Sequence, residues 1–456
     1  MINKLFKSKT FLPIMQFITL VAFILLIFGA ASITTNDAVF AKTLRNTNLA
    51  NLIVWSYWWP LIIATAILFG RFWCSICPME MITSFFGKIG LKRKPGRVLK
   101  SGWIITLFYA VILIVGIHTF QIHRIPQLMA LYMLILLAIA VITGFIWEKR
   151  TFCTYVCPIG HLLGLYSMVS FKKLRVKDSS VCDSCKTKDC ISTKNRYKFT
   201  GRSCTSELFP PKITDNRNCI LCGQCYKSCS NDNIVITKRR FAADLFKNIK
   251  LSWAEMGFFM IVSAFVVYEI LSEWSVSKHI IMALPHFINH LFNVTGLLTG
   301  TVKAVSLFIL LPVMFFFGLA LLKKVLAKEN FKDAVMQLVF AMLPVTASMH
   351  LLKALLKTTS RIPYWKYVFA DPEGVETAKA VLQNHDMLNN HVLTAYITPV
   401  VNILAILIPL SGLVLAFFVI KKMKHTSRLS QLISIFTALF YASIFIITLI
   451  WWRILG

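Results

Sequence analysis

The segment Cys219-Ile-Leu-Cys222-Gly-Gln-Cys225-Tyr-Lys-Ser-Cys229 is a C-x2-C-x2-C-x3-C run, followed by the apolar Ile234-Val235-Ile236. Thiolates at this spacing wrap one side of an iron–sulfur cube, and in two-cluster ferredoxins the fourth cysteine reaches the other cube. Structural zinc instead pairs two separated C-x2-C knuckles, so the compact run points to a [4Fe–4S] cluster. Gly223 supplies the tight turn that lets backbone amides face sulfur. Upstream, Cys182-x2-Cys185-x4-Cys190 and then Cys204 read as a degenerate first half of the same arrangement. If the halves exchange a ligand, Cys182, Cys185 and Cys190 share one cluster with Cys229, and Cys219, Cys222 and Cys225 share the other with Cys204. If they do not, Cys204 joins the first group and Cys229 the second. Spacing alone leaves both open.

Four further cysteines form matched pairs. Arg71-Phe72-Trp73-Cys74-Ser75-Ile76-Cys77-Pro78 and Arg150-Thr151-Phe152-Cys153-Thr154-Tyr155-Val156-Cys157-Pro158 each follow an apolar stretch, as the ends of an internal repeat. Proline keeps the residue before it out of the helix, freeing local amides to face the sulfurs. Packed helices run about 8–10 Å apart, so cysteines at two adjacent helix ends can converge. Cys74, Cys77, Cys153 and Cys157 are therefore expected to form one redox or metal site, holding a further metal or a small iron–sulfur centre.

The elements that must position these residues are membrane helices. Of 456 residues 57% are hydrophobic, and the mean hydropathy is +0.68, which excludes an ordinary soluble protein. Nine stretches reach membrane-spanning length, at about residues 11–32, 50–70, 102–120, 127–147, 254–271, 302–322, 334–356, 393–420 and 431–452. The expected fold is an α-helical polytopic membrane protein with an inserted ferredoxin-like domain for two [4Fe–4S] clusters. In linear order it divides into a four-helix membrane region over 1–148, a segment over 149–250 with the second Cys-Pro motif and the ferredoxin-like domain, and a five-helix region over 251–456.

The net charge is +30. No nucleic-acid-binding signature accompanies it, and the basic loops alternate with poor ones in the manner of the positive-inside rule. Lys88, Lys92, Arg93, Lys94, Arg97 and Lys100 fall between the second and third stretches, and Lys421, Lys422, Lys424 and Arg428 after the eighth. This alternation predicts a multi-pass protein of the cytoplasmic membrane, N-terminus and all cysteines inside, C-terminus outside. Ligand thiolates then lie in the reducing compartment they require. Residues 149–250 hold 20 Lys and Arg against 7 Asp and Glu, a basic shell suited to anionic clusters and to an acidic partner. The same topology gathers His118, His123, His279, His286, His290, His350, His385 and His391 towards the outer face, with Glu269 near them. Haem or metal binding, proton exchange with quinol, and no joint role are all compatible with that pattern.

With paired Cys-Pro motifs on helix ends and a ferredoxin segment after the fourth span, the sequence resembles the NapH/NosR-type membrane polyferredoxins. The resemblance covers about residues 50–240 and rests on Cys74 to Pro78, Cys153 to Pro158 and the Cys182 to Cys229 set. It implies a membrane-bound iron–sulfur electron-transfer protein, of quinol-dehydrogenase type, that exchanges electrons between the quinone pool and a redox partner such as a ferredoxin-type protein or a respiratory reductase subunit. The alternative is a metal or thiol redox accessory or sensor protein for maturation of such a reductase. The chain differs in having a first motif one residue shorter than C-x3-C-P and five additional C-terminal spans.

Overall fold

The structure, a computed structural model, describes residues 2–455. Among them, eight helices are long and apolar enough to cross a membrane: Phe11–Phe28, Leu49–Phe69, Pro126–Ile146, Trp253–Leu271, Leu298–Ala327, Phe331–Val368, Leu393–Lys422 and Arg428–Leu455. A ninth apolar helix, Trp103–Thr119, is shorter. All nine coincide with the stretches expected from hydropathy, and the protein is a helical polytopic membrane protein. Large apolar side chains such as Phe17, Leu25, Leu131, Leu134 and Ile403 point outward, as lipid-facing surfaces require.

Internal contacts divide the chain into two units that interleave along the sequence. The first takes in the chain up to Ala31, Leu61–Ile105 and Ala130–Lys247; the second takes in Ser32–Pro60, Thr106–Met129 and the chain from Asn248 onward.

The first unit contains every cysteine. Among the described residues its one sheet pairs β1 (Lys172–Val176) with β2 (Ile234–Lys238) in antiparallel register, Leu174 opposite Ile236 and Val176 opposite Ile234. The alternation of the strands turns Leu174, Ile234 and Ile236 inward, where they join Phe6, Leu12, Ile76, Cys219, Leu221, Cys225 and Tyr226 in one core. That core ties together the segment before the first span, the first Cys-Pro motif and the ferredoxin-like region. Asn3 completes the junction: its Oδ1 accepts from Ile236 N at 3.1 Å and its Nδ2 donates to Ile236 O at 3.3 Å, satisfying an edge strand that would otherwise expose both groups.

The second unit is built around the helix Phe331–Ser360, most of whose residues are buried. Thr398–Lys422 packs closely on it: a Cβ added at Gly412 would come 2.2 Å from Ser348 Oγ. Trp253–Leu271 opens with a capping box in which Ser252 and Glu255 satisfy each other's amides. Ser275–Leu291 forms an amphipathic helix too short and polar to be counted among the spans.

Candidate iron–sulfur centres

The Cys219–Cys229 loop is shaped by two left-handed residues, Leu221 (φ 56°) and Gly223 (φ 63°), before the short helix Gln224–Ser228. A Cβ on Gly223 would meet Phe6 Cδ1 at 3.1 Å, so both conformation and space select glycine here. One cavity of this unit is lined by Cys204, Cys219, Cys222 and Cys225 among Leu174, Leu208 and Ile213. Another is lined by Cys182, Cys185, Cys190 and Cys229 among Val181, Phe209 and Ile234. The cysteines are thus brought together in the exchanged grouping. Cys204 N donates to Cys190 O at 2.8 Å, which holds the two groups side by side.

Sulfur acceptors are already provided for. Asn233 donates from its backbone N to Cys229 Sγ at 3.4 Å and from Nδ2 to Cys182 Sγ at 3.2 Å. Burial pushes the Cys219 thiol up to about 12 and the Cys190 thiol up to about 11, in each case with added repulsion from cysteines of the same cavity. A metal must displace those protons to bind, so loading would release acid.

The two Cys-Pro motifs repeat one construction. Cys74 lies in the helical turn Phe72–Ile76 and Cys153 in Phe152–Val156; each turn ends in an extended cysteine, Cys77 or Cys157, before a proline at the first position of the next helix. Cys157 Sγ accepts from Gly160 N at 3.4 Å, and Arg71 Nη2 donates to Cys74 Sγ at 3.8 Å. A Cβ at Gly160 would lie 3.0 Å from Arg71 Nη2 and 3.1 Å from Cys153 O, so the two motifs meet. Burial, then the neighbouring Cys153, Cys74 and Cys157, push the Cys77 thiol well above its ordinary value. The two motifs thus lie beside each other, with Cys77 within electrostatic reach of the other three cysteines.

Beside them lies a charge constellation that the sequence did not announce. Glu80 is 1% exposed and accepts from Gln16 Nε2 at 2.6 Å and Ser84 Oγ at 3.1 Å; it pairs with Arg150 at 3.4 Å and also with Arg202. Burial works to raise its carboxyl, but the Arg202 and Arg150 guanidinium groups and the Gln16 amide outweigh it and hold it below the usual range. Arg150, 2% exposed, is close enough to feel Cys153, Cys74 and Cys222, so it borders both the paired motifs and the Cys204 group. Its Nη2, and Nε of Arg71, are buried without a hydrogen-bond partner, an arrangement that fits an anionic sulfide core nearby. In the sequence these arginines are indistinguishable from the surrounding positive-inside lysines, and only a lone acid one helical turn after Cys77 hinted at Glu80.

Among the described residues no three His, Cys, Asp or Glu stand close enough to hold a single metal ion. The histidines of the second unit form no such group. His279, His286 and His290 are exposed on Ser275–Leu291, and His385 and His391 are exposed as well. His350 is buried and packs near Trp59 and Phe265, His118 packs near Tyr268 and Phe308, and His123 packs near Trp55. Glu269 pairs with Lys353 at 3.8 Å, beside the tighter Lys353–Glu273 pair at 2.5 Å.

A family profile described as "4Fe-4S binding domain" matches residues 51–97 and 129–177, each match containing one Cys-Pro motif. Two uncharacterized proteins of Methanocaldococcus jannaschii are each 25% identical to the chain. One aligns over 176 residues, 37% of this chain and 65% of that protein; the other over 193 residues, 38% and 74%. The ferredoxin-type protein NapH of Escherichia coli is 28% identical over 91 residues, 20% of this chain and 31% of NapH. The chain thus spans just under two thirds of the first of these relatives and under a third of NapH. No solved structure matches. The chain is similar to NapH-like ferredoxin-type membrane proteins, and the matched segments support iron–sulfur binding and electron transfer.

Proposed function

We propose that this protein carries electrons between the membrane quinone pool and a redox partner, as a quinol-dehydrogenase-type subunit of the cytoplasmic membrane. Cys204, Cys219, Cys222 and Cys225 would hold one [4Fe–4S] cluster, and Cys182, Cys185, Cys190 and Cys229 the second. Cys74, Cys77, Cys153 and Cys157 would hold a third iron–sulfur centre at the membrane surface. Such centres supply single-electron transfer and no substrate chemistry. The observation that carries the reading is the sorting of eight cysteines into two cavities, four to each.

The chain's own residues do the rest. Asn233 and the loop amides stabilise sulfur charge, and the apolar linings exclude water. Arg150, Arg71 and Arg202 supply positive charge where a reduced centre gains negative charge. The basic loops favour a cytoplasmic position for the cysteine-bearing segments, with the N-terminus inside and the C-terminus outside.

Anaerobic purification with iron and acid-labile sulfide counts, beside EPR of the reduced protein, tests the assignment. About twelve irons per chain are expected with three cubanes, and about eight with two. Tetrahedral zinc without labile sulfide would overturn it. Reoxidation of the reduced protein by a quinone analogue tests the quinone assignment, and its absence at full iron content would favour an accessory or sensor role.

A further inference from the structure

A cavity of about 460 Å³ opens beside Cys229, lined by Lys7, Lys9, Tyr226, Lys227 and Asp232, with Gly201 in its wall. Cys229 also lines the cavity it shares with Cys182, Cys185 and Cys190. One cysteine side chain therefore borders both an open basic cleft and the cavity of its own cysteine group.

The charges of the cleft do not cancel. Its single carboxylate, Asp232, is taken by Lys7 at 3.0 Å and by Lys177 at 3.6 Å, and Lys7 also stands 5.4 Å over the Tyr226 ring. Lys227 Nζ is buried without a hydrogen-bond partner. Lys9 is exposed at the mouth and makes no ion pair among the described residues. A buried ammonium without a carboxylate beside it adds to the positive potential of the cleft, and the exposed Lys9 is the group an incoming anion can bond through charge-assisted hydrogen bonds. The surrounding segment, residues 149–250, carries 20 Lys and Arg against 7 Asp and Glu, so the attraction extends well beyond the cleft. A broad field around an open cleft suits a protein face better than a small enclosed ligand.

We propose that this cleft is the docking point for a soluble electron-carrier protein whose contact face bears carboxylates, with Lys9 as the primary contact, Lys227 as a positive charge set behind the surface, and Cys229 as the wall nearest the carrier. The proposal rests on the reading that Cys229 holds a cluster.

The test is binding of an oxidised, small, acidic plant-type ferredoxin to the anaerobically purified full-length protein, by biolayer interferometry over a range of salt. Lys9→Glu and Lys227→Glu should each weaken binding about tenfold and flatten the dependence of log Kd on log salt, because charge reversal removes steering at both positions and the contact at Lys9. Lys212→Glu, on the same segment but outside the cleft, should change Kd less than about twofold. Lys9 is exposed, so its variant retains the fold even where Lys227→Glu does not. Equal losses from Lys212→Glu and Lys9→Glu would overturn the cleft as the docking point. So would absence of ferredoxin binding alongside saturable binding of inorganic pyrophosphate, which would assign the cleft to a small phosphorylated ligand. Iron and sulfide counts on the wild-type sample report separately on the cluster reading: binding without iron would refute that reading, and full iron without binding would refute the docking proposal.

Discussion

Replacing Glu80 with glutamine removes one negative charge from a site where two guanidinium groups, Arg150 and Arg202, converge on it. The amide keeps the size of the side chain and one acceptor oxygen, but it leaves the arginines without a counter-charge in a position that is 1% exposed. Breaking a buried pair from one side typically costs about 3–5 kcal/mol, because the remaining charge cannot recover its hydration. For a unit of 150–250 residues each kcal/mol lowers the melting temperature by about 2–4 °C, so the expected fall is about 6–20 °C. Differential scanning fluorimetry of detergent-purified protein, with iron content measured before and after heating, reads the effect. Asp232→Asn is the control, since its ion pairs with Lys7 and Lys177 join side chains more than half exposed and should produce no resolvable shift. The pH dependence has a definite sign. The folded Glu80 carboxyl titrates below its ordinary 4.5, so its stabilisation is complete above that value and is lost as pH falls through the lower folded one. A Glu80→Gln protein that melts within a degree of wild type, with wild-type iron, would refute the assignment of this carboxylate as the counter-charge holding the two arginines.

Ligand grouping can be read from single substitutions: Cys204→Ser should remove the same EPR signal as Cys222→Ser, and Cys229→Ser the same signal as Cys182→Ser; loss of a common signal in Cys204→Ser and Cys182→Ser would contradict the grouping by cavity. Replacing Cys74, Cys77, Cys153 and Cys157 together by serine should leave the other two clusters intact yet abolish their reduction by quinol, and unchanged quinol-linked reduction would make those four residues structural. Gly223→Ala places a methyl group 3.1 Å from Phe6 Cδ1 at φ 63°, a strain of about 1–2 kcal/mol that should shorten the half-life of iron retention under a chelator; an unaltered half-life would count against it. Reporter fusions after Lys250 should read cytoplasmic and fusions after Gly456 outside, and an outside reading at Lys250 would place the cysteines in an oxidising compartment.

The membrane helices were legible because length and apolarity suffice to define a span, as Phe11–Phe28 and Arg428–Leu455 illustrate. The cysteine motifs were legible for a similar reason: ligand spacing survives in the linear order. The grouping of Cys204 and Cys229 was not decidable from that order, since it depends on how the loop after Cys190 folds back, held by the Cys204–Cys190 backbone bond. Glu80, Arg150 and Arg202 lie 70 and 122 positions apart from the acid to the bases, and nothing local couples them. Ser275–Leu291 went unread as an element, because an amphipathic helix on a membrane protein lacks the continuous apolar run that betrays a span.

The two hydrogen bonds between Asn3 and Ile236 constrain the count of crossings by parity. Residues in contact outside the bilayer share one side of it, so the chain must cross an even number of times between them. Phe11–Phe28, Leu49–Phe69 and Pro126–Ile146 make three crossings, which would leave Asn3 and Ile236 on opposite sides. Trp103–Thr119 restores the even number, and its length falls at the lower end of the roughly 17–25 residues that span a bilayer. A helix that composition and length leave marginal is thus favoured as a full crossing by a single asparagine that lies before the first span.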